Sequence, residues 1–127
     1  VKEIINFINS QNIPSIYYAK GLCDSPDLIM QTNSKVLGID WSVELSKVKS
    51  ATEGMVALQG NLDPSVLLAD RQTIRREVKK ILMAYGPNNG HIFNLGHGIT
   101  PDVDPERVKE LIHAVHEFSF KSHLRSC

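Results

Sequence analysis

The stretch Met55-Val56-Ala57-Leu58-Gln59-Gly60-Asn61-Leu62-Asp63-Pro64 decides the fold, because a short apolar run ends abruptly in residues that form turns. A strand with one face in water alternates apolar and polar side chains, whereas a run that is apolar throughout is typical of a parallel sheet covered on its faces. Three more runs of this kind occur in the chain. They predict four strands, at about Ser15–Ala19, Val36–Asp40, Val56–Gln59 and Ile92–Leu95.

Segments with helical spacing of apolar residues separate the strands and predict five helices. Ser42 and Asp70 are residue types that cap helix N-termini, and Gly86-Pro87 is a stop signal after the fourth helix. The helices are expected to begin near Val1, Asp24, Ser42, Asp70 and Asp104. Strands that alternate with helices indicate an α/β chain built on a parallel sheet. At roughly 30 residues per βα unit, a doubly wound sheet and a (β/α)8 barrel both remain open.

Composition excludes several classes of protein. The 127 residues suit one domain without further division, and no apolar run approaches the ~18 residues of a membrane helix. Lys plus Arg and Asp plus Glu number 14 each, so no charge excess favours nucleic acid or an anionic membrane as a partner. The two cysteines, Cys23 and Cys127, lie too far apart in sequence to indicate a disulfide framework. With no secretory signal at the start, we expect a cytoplasmic protein.

Polar residues directly after the apolar runs are the candidates for a binding site, because ligands of parallel α/β folds collect at the carboxyl ends of the strands. Asp40 follows the second run, and its carboxylate could either accept loop N–H groups or face the ligand. Asn61 and Asp63 follow the third run, where a structural turn is the favoured interpretation and a cleft-lining role the alternative. Asn94 ends the fourth run and is a further cleft-lining candidate.

Gly96-His97-Gly98 is the strongest local signal for a functional side chain. The flanking glycines widen the backbone conformations that are open to this segment and leave the imidazole unobstructed. We therefore favour an exposed, functional His97 over a buried histidine that is satisfied by backbone. The segment is no dinucleotide fingerprint, because that motif opens a helix directly and here residues 101–105 intervene.

Other reactive residue types are expected to have ordinary roles. Lys20 is interpreted as a solvated loop charge rather than a substrate contact. His113 and His116 are three residues apart on the last helix, but they lie off the expected loop face and lack a third ligand. Cys23 has no neighbouring base in the sequence, so an inert thiol is the expected state.

Three of these stretches, in this order and at this spacing, resemble the C-terminal half of the uroporphyrinogen decarboxylase family. They are Leu37-Gly38-Ile39-Asp40-Trp41, Leu58-Gln59-Gly60-Asn61-Leu62-Asp63-Pro64 and Asn94-Leu95-Gly96-His97-Gly98. The likeness continues through Tyr18-Ala19-Lys20-Gly21 and Pro101-Asp102-Val103-Asp104-Pro105-Glu106, and so covers nearly the whole chain. It implies that the four predicted strands are the last four of a TIM (β/α)8 barrel, a fold of about 250 residues.

The resemblance also implies an activity. Members of the family decarboxylate the four acetate side chains of uroporphyrinogen III to give coproporphyrinogen III in heme biosynthesis, without a metal or organic cofactor, and they form homodimers. The catalytic aspartate, the arginines, a tyrosine and a serine of the family belong to the part that precedes Val1. By motif, His97 is the substrate-binding position that this chain carries, and the chain alone is expected to be inactive.

Two rival hypotheses remain. One is a relationship to zinc-dependent corrinoid methyltransferases, which present a His-x-Cys pair after one strand and a further cysteine after the last. At the matching places this chain reads Lys20-Gly21-Leu22-Cys23 and Leu95-Gly96-His97, so these zinc ligands are not in place. The other hypothesis is an inactive half-barrel that self-associates, because an open parallel sheet leaves two unpaired edges and an apolar inner face.

Overall fold

The computed structural model describes residues 1–21 and 30–125, with side chains described as far as residue 119. Five helices and four strands follow one another within these ranges. They are α1 (Lys2–Ser10), β1 (Ile16–Tyr18), β2 (Val36–Gly38), α2 (Leu45–Ala51), β3 (Ala57–Gln59), a 3-10 helix (Pro64–Leu68), α3 (Arg71–Tyr85), β4 (His91–Ile92) and α4 (Pro105–Arg125).

The four strands form one parallel sheet in the order β1-β2-β3-β4. This confirms the four predicted parallel strands, although each is shorter than its apolar run. The fourth strand begins at His91 and ends at Ile92, and beyond it Leu95 forms an isolated parallel bridge with Leu62. Because each strand pairs with the next along the chain, the order lacks the reversal that defines a doubly wound sheet. The sheet therefore has the strand order of a (β/α) barrel.

One face of the sheet is covered by helices. The register aligns Tyr17, Leu37, Leu58 and His91 in one row across the four strands. Leu37 and Leu58 of this row are buried in a core with Ile39, Leu45, Val48 and Tyr85. A second core lies between α3, α4 and the segment after β3, and it contains Leu62, Leu67, Ile74, Val78, Leu111 and Ala114. We call the face of this row the outer face.

The helix starts show which local signals the fold uses. Asp70 caps α3 as predicted, because its carboxylate accepts a hydrogen bond from the Thr73 backbone N–H at 2.7 Å. The predicted cap at Ser42 is wrong, since α2 begins at Leu45 and its N-cap residue is Glu44, whose side chain makes no capping hydrogen bond. The predicted helix at 24–32 lies mostly outside the described residues. Of the helices within the described ranges, none has both the length and the apolarity that a bilayer crossing requires.

Candidate functional site

A cavity of about 740 Å³ opens on the other face of the sheet, which we call the inner face. The row Tyr18, Gly38 and Gln59, aligned by the strand register, forms one wall of the cavity. Residues 93–99 and one side of α4 form the opposite wall. Gly38 fits beneath the Tyr18 ring, because a Cβ at Gly38 would lie 2.9 Å from the Tyr18 Cβ. The cavity thus lies at the carboxyl ends of the strands, where parallel α/β folds bind ligands.

Asp40 provides a fixed negative charge beside this cavity. Its side chain is buried, and its Oδ1 accepts hydrogen bonds from the Ser42 hydroxyl at 2.6 Å and from the Ser42 backbone N–H at 2.9 Å. These hydrogen bonds hold the pKa of the Asp40 carboxyl below its usual value, assisted by the Tyr18 hydroxyl and the Lys20 charge, although burial opposes them. The residue therefore stays ionised at neutral pH.

Tyr18 connects Asp40 with the predicted histidine. Its hydroxyl lies 3.3 Å from Asp40 Oδ2, 3.2 Å from the Gly96 carbonyl oxygen and 3.5 Å from His97 Nδ1. Tyr18 was not among the site residues predicted from the sequence. The available signal was its position at the end of β1, where an inward-facing side chain reaches the same edge as the predicted candidates.

His97 lies in an exposed position on the cavity wall, as its glycine neighbours suggested. The two glycines, however, do different things. A Cβ at Gly96 would lie 2.3 Å from the Trp41 backbone nitrogen, so the missing side chain permits the chain after β4 to contact the loop after β2. A Cβ at Gly98 would meet no atom within 4 Å. The close contact of Gly96 therefore sets the position of the neighbouring His97, whereas Gly98 borders open space.

The structure separates the remaining candidates. Asn94 lines the cavity, and its Oδ1 accepts a hydrogen bond from the Leu95 backbone N–H. Asn61 does not line the cavity, because its buried amide donates to the carbonyl oxygens of Asp40 (3.0 Å) and Val43 (2.6 Å). Asp63 does not line it either.

The carboxylate of Asp63 caps the 3-10 helix by accepting from the Ser65 backbone N–H. The structural interpretation of Asn61 and Asp63 therefore replaces the cleft-lining one. The buried network at Asn61 helps to hold the loop that carries Asp40.

The two histidines of the last helix differ in position. His116 lines the cavity, although its helix position had suggested that it lies away from the strand ends, while His113 is exposed and does not line it. Lys20 is exposed, in agreement with a solvated loop charge, and Cys23 lies outside the described residues. In the part of the chain that the structure describes, no group of three His, Cys, Asp or Glu side chains converges to hold a metal ion.

Sequential parallel strands with a cavity at their carboxyl ends define a partial barrel of the TIM type. A solved structure described as a methyltransferase from Methanosarcina mazei superposes with a TM-score of 0.70 over 91% of this chain and 34% of its own. The two sequences are 24% identical, so this likeness bears on the fold alone.

Sequence comparison then gives the family. The family model described as uroporphyrinogen decarboxylase (URO-D) matches residues 1–118. A uroporphyrinogen decarboxylase of Legionella pneumophila (strain Corby) is 50% identical over 113 residues, which are 89% of this chain and 32% of the relative. One of Cellvibrio japonicus is 43% identical over 123 residues, 97% of this chain and 35% of the relative. The chain belongs to the uroporphyrinogen decarboxylase family, and it spans about a third of the length of these relatives.

Proposed function

We propose that this chain is the carboxyl-terminal part of a cytoplasmic uroporphyrinogen decarboxylase, in which His97 contacts a carboxylate of uroporphyrinogen III. The observation that carries the proposal is the position of His97, which is exposed on the wall of a cavity at the strand ends in a chain of this family. An imidazolium N–H at that position could form a charge-assisted hydrogen bond with a substrate that bears eight carboxylates.

The decarboxylation itself needs groups that the cavity wall does not supply. Loss of an acetate carboxyl group leaves negative charge on carbon, which protonation of the pyrrole makes tolerable, and an acid near the pyrrole N–H groups supports this step. Among the described residues that line the cavity, the titratable side chains are Tyr18, His97 and His116, and none is Asp, Glu, Lys or Arg. We therefore assign the catalytic acid and the cations that hold the carboxylates to the part of the enzyme that precedes Val1.

The first experiment compares the chain alone with the complete enzyme. Each is incubated with uroporphyrinogen III, and the products are oxidised and separated by chromatography. We expect no coproporphyrinogen from the 127-residue chain, because it lacks the acid and the cations. Coproporphyrinogen formation by this chain alone would show that the chemistry resides in this part of the barrel.

The second experiment tests His97 in the complete enzyme. A charge-assisted hydrogen bond is worth about 1.5–3 kcal/mol, so His97→Ala should lower kcat/KM roughly tenfold or more and leave measurable activity. The matched control is His113→Ala, because His113 is exposed on α4 and does not line the cavity. Wild-type kinetics of His97→Ala would contradict substrate contact, and complete loss of activity in a folded protein would make His97 the central acid.

A second proposal concerns association of the isolated chain. Strands β1 and β4 are the edges of the described sheet, and Ile16 and Ile92 on them are 54% and 43% exposed. Unpaired parallel edges and exposed apolar side chains favour contact between copies. We propose that the 127-residue chain self-associates, and a monomer by multi-angle light scattering at tens of micromolar would refute this.

A further inference from the structure

We propose that Tyr18 is a positioning residue, which holds the His97 imidazole so that Nδ1–H points to the Tyr18 oxygen and Nε2 faces the cavity. This inference rests on the proposed contact between His97 and the substrate, since it assigns the ring atom that makes that contact. The geometry around the Tyr18 hydroxyl carries it.

The hydroxyl proton is directed away from His97. The carboxylate of Asp40 and the carbonyl of Gly96 can only accept hydrogen bonds, and they lie 3.3 Å and 3.2 Å from the Tyr18 oxygen. The single O–H proton of Tyr18 therefore points toward these two acceptors. His97 Nδ1, 3.5 Å away, then meets the lone pairs of the hydroxyl oxygen and must itself be the donor.

The Asp40 carboxylate and the Tyr18 ring are also held in position. Asp40 Oδ1 is already occupied by two hydrogen bonds from Ser42, so Oδ2 is the atom that faces Tyr18. The Tyr18 ring is held on the backbone of Gly38, where a Cβ would approach its Cδ2 to 3.0 Å. The hydroxyl therefore has a defined position between a buried carboxylate and the exposed imidazole.

This arrangement leaves Nε2 as the His97 atom that faces the cavity. With Nδ1–H held by Tyr18, the Nε2 atom presents a lone pair in the neutral ring and an N–H donor in the protonated ring. Only the protonated ring can donate to a substrate carboxylate, and Tyr18 keeps Nε2 directed at the cavity in both forms.

The first test reads the His97 tautomer by ¹⁵N NMR, which needs no turnover. Spectra of the 127-residue chain and of the complete enzyme are recorded at a pH where the ring is neutral, and His97→Ala identifies the resonances among the five histidines. We expect the Nδ1–H form in the parent protein. In Tyr18→Phe, which keeps the ring on Gly38, we expect the Nε2–H form that free imidazole side chains favour. An unchanged tautomer in Tyr18→Phe would overturn the proposal.

Kinetics of the complete enzyme separate this inference from the proposed function. Tyr18→Phe should raise KM about three- to tenfold with little change in kcat, because it weakens a substrate contact and touches no reacting atom. Tyr17→Phe is the matched control, since its ring lies with the outer-face core. A changed tautomer with unchanged KM would leave the positioning role intact and overturn the substrate contact of His97.

Discussion

The two faces of the sheet differ in how much of their side chains is exposed. On the outer face, Leu37 and Leu58 are 3% and 0% exposed beneath the helices. On the inner face, Tyr18 of β1 and Ile92 of β4 are each 43% exposed. Alternation along a strand places successive side chains on opposite faces, so one residue step separates a core position from a cavity position.

The difference shows where the stability of this chain resides. The outer face is covered by helices of the chain itself, whereas the inner face borders a cavity and two open strand edges. Substitutions on the outer face should therefore affect folding, and those on the inner face should affect binding. The histidines repeat the contrast, with His91 on the outer face and His97 at the cavity.

The largest effect is expected from removing outer-face volume. Leu58→Ala leaves a cavity in a fully buried site and should lower the free energy of unfolding by about 2–5 kcal/mol. Ile92→Ala, on the inner face of the neighbouring strand, should cost under about 1 kcal/mol. Urea denaturation followed by circular dichroism measures both. Equal losses would mean that the inner face is as well packed as the outer one.

The next effect should come from the glycines beside His97. Gly96→Ala forces a Cβ against the Trp41 backbone and should destabilise the protein by more than about 2 kcal/mol, while Gly98→Ala should stay within about 0.5 kcal/mol. Fluorescence of Trp41, the single tryptophan of the chain, reports the local change. If Gly96→Ala kept the parent stability and the parent spectrum, the close contact between the two loops would be refuted.

A smaller loss is expected at the buried amide beneath the site. Asn61→Ala leaves the carbonyl groups of Asp40 and Val43 buried without their donor, which should cost about 1–3 kcal/mol. Asn94→Ala is the matched control, because that exposed amide lies on the cavity wall. The comparison uses thermal and urea unfolding. A larger loss for Asn94→Ala would reverse the roles assigned to the two asparagines.

The smallest effect is a dependence of stability on pH through His91. Burial holds the pKa of this imidazole below its ordinary value of about 6.5, with a contribution from the Lys49 charge, and its Nε2 lies 2.8 Å from the Gly60 carbonyl. The unfolded chain therefore takes up the proton at a higher pH than the folded chain. Stability contributed by neutral His91 is present above pH 6.5 and is lost as the pH falls below it.

Unfolding free energies at pH 7.5 and 5.5 measure this dependence. We expect lower stability at pH 5.5, and a smaller difference between the two values in His91→Gln. His97→Gln is the matched control, because its ring is exposed at the cavity. An identical pH dependence in the parent and in His91→Gln would contradict a half-buried, neutral imidazole.

Several features were predictable because they depend on residues close together in sequence. The four strands follow from apolar runs, and the cap of α3 follows from Asp70 and the N–H group three residues later. Ser42 had the same local signal, yet its donors bond to the buried Asp40 carboxylate instead of starting a helix. The prediction failed because a second local pattern is formed there: the Asp40 carboxylate, two residues earlier, accepts from the Ser42 N–H and O–H as in an Asx turn.

The candidate site was only partly predictable. His97, Asn94 and Asp40 were selected from their places after apolar runs, and the structure puts the first two on the cavity wall and the third beside it. Asn61 and Asp63 had the same signal but are committed to loop and helix-cap hydrogen bonds. Tyr18 was missed, because its hydroxyl matters only where β1 and the chain after β4 meet.

The sequence by itself determined the α/β class, the parallel strands and the resemblance to the decarboxylase family, since periodicity and motifs are properties of short segments. Periodicity alone left a doubly wound sheet and a barrel open, and the resemblance implied the barrel; the strand order of the tertiary structure confirms it, because that choice depends on which strands pair. Only the tertiary structure decided which strand-end residues meet. The contact of Gly96 with Trp41 brings His97 to Tyr18 across 79 residues, and no local pattern encodes a distance between segments that far apart.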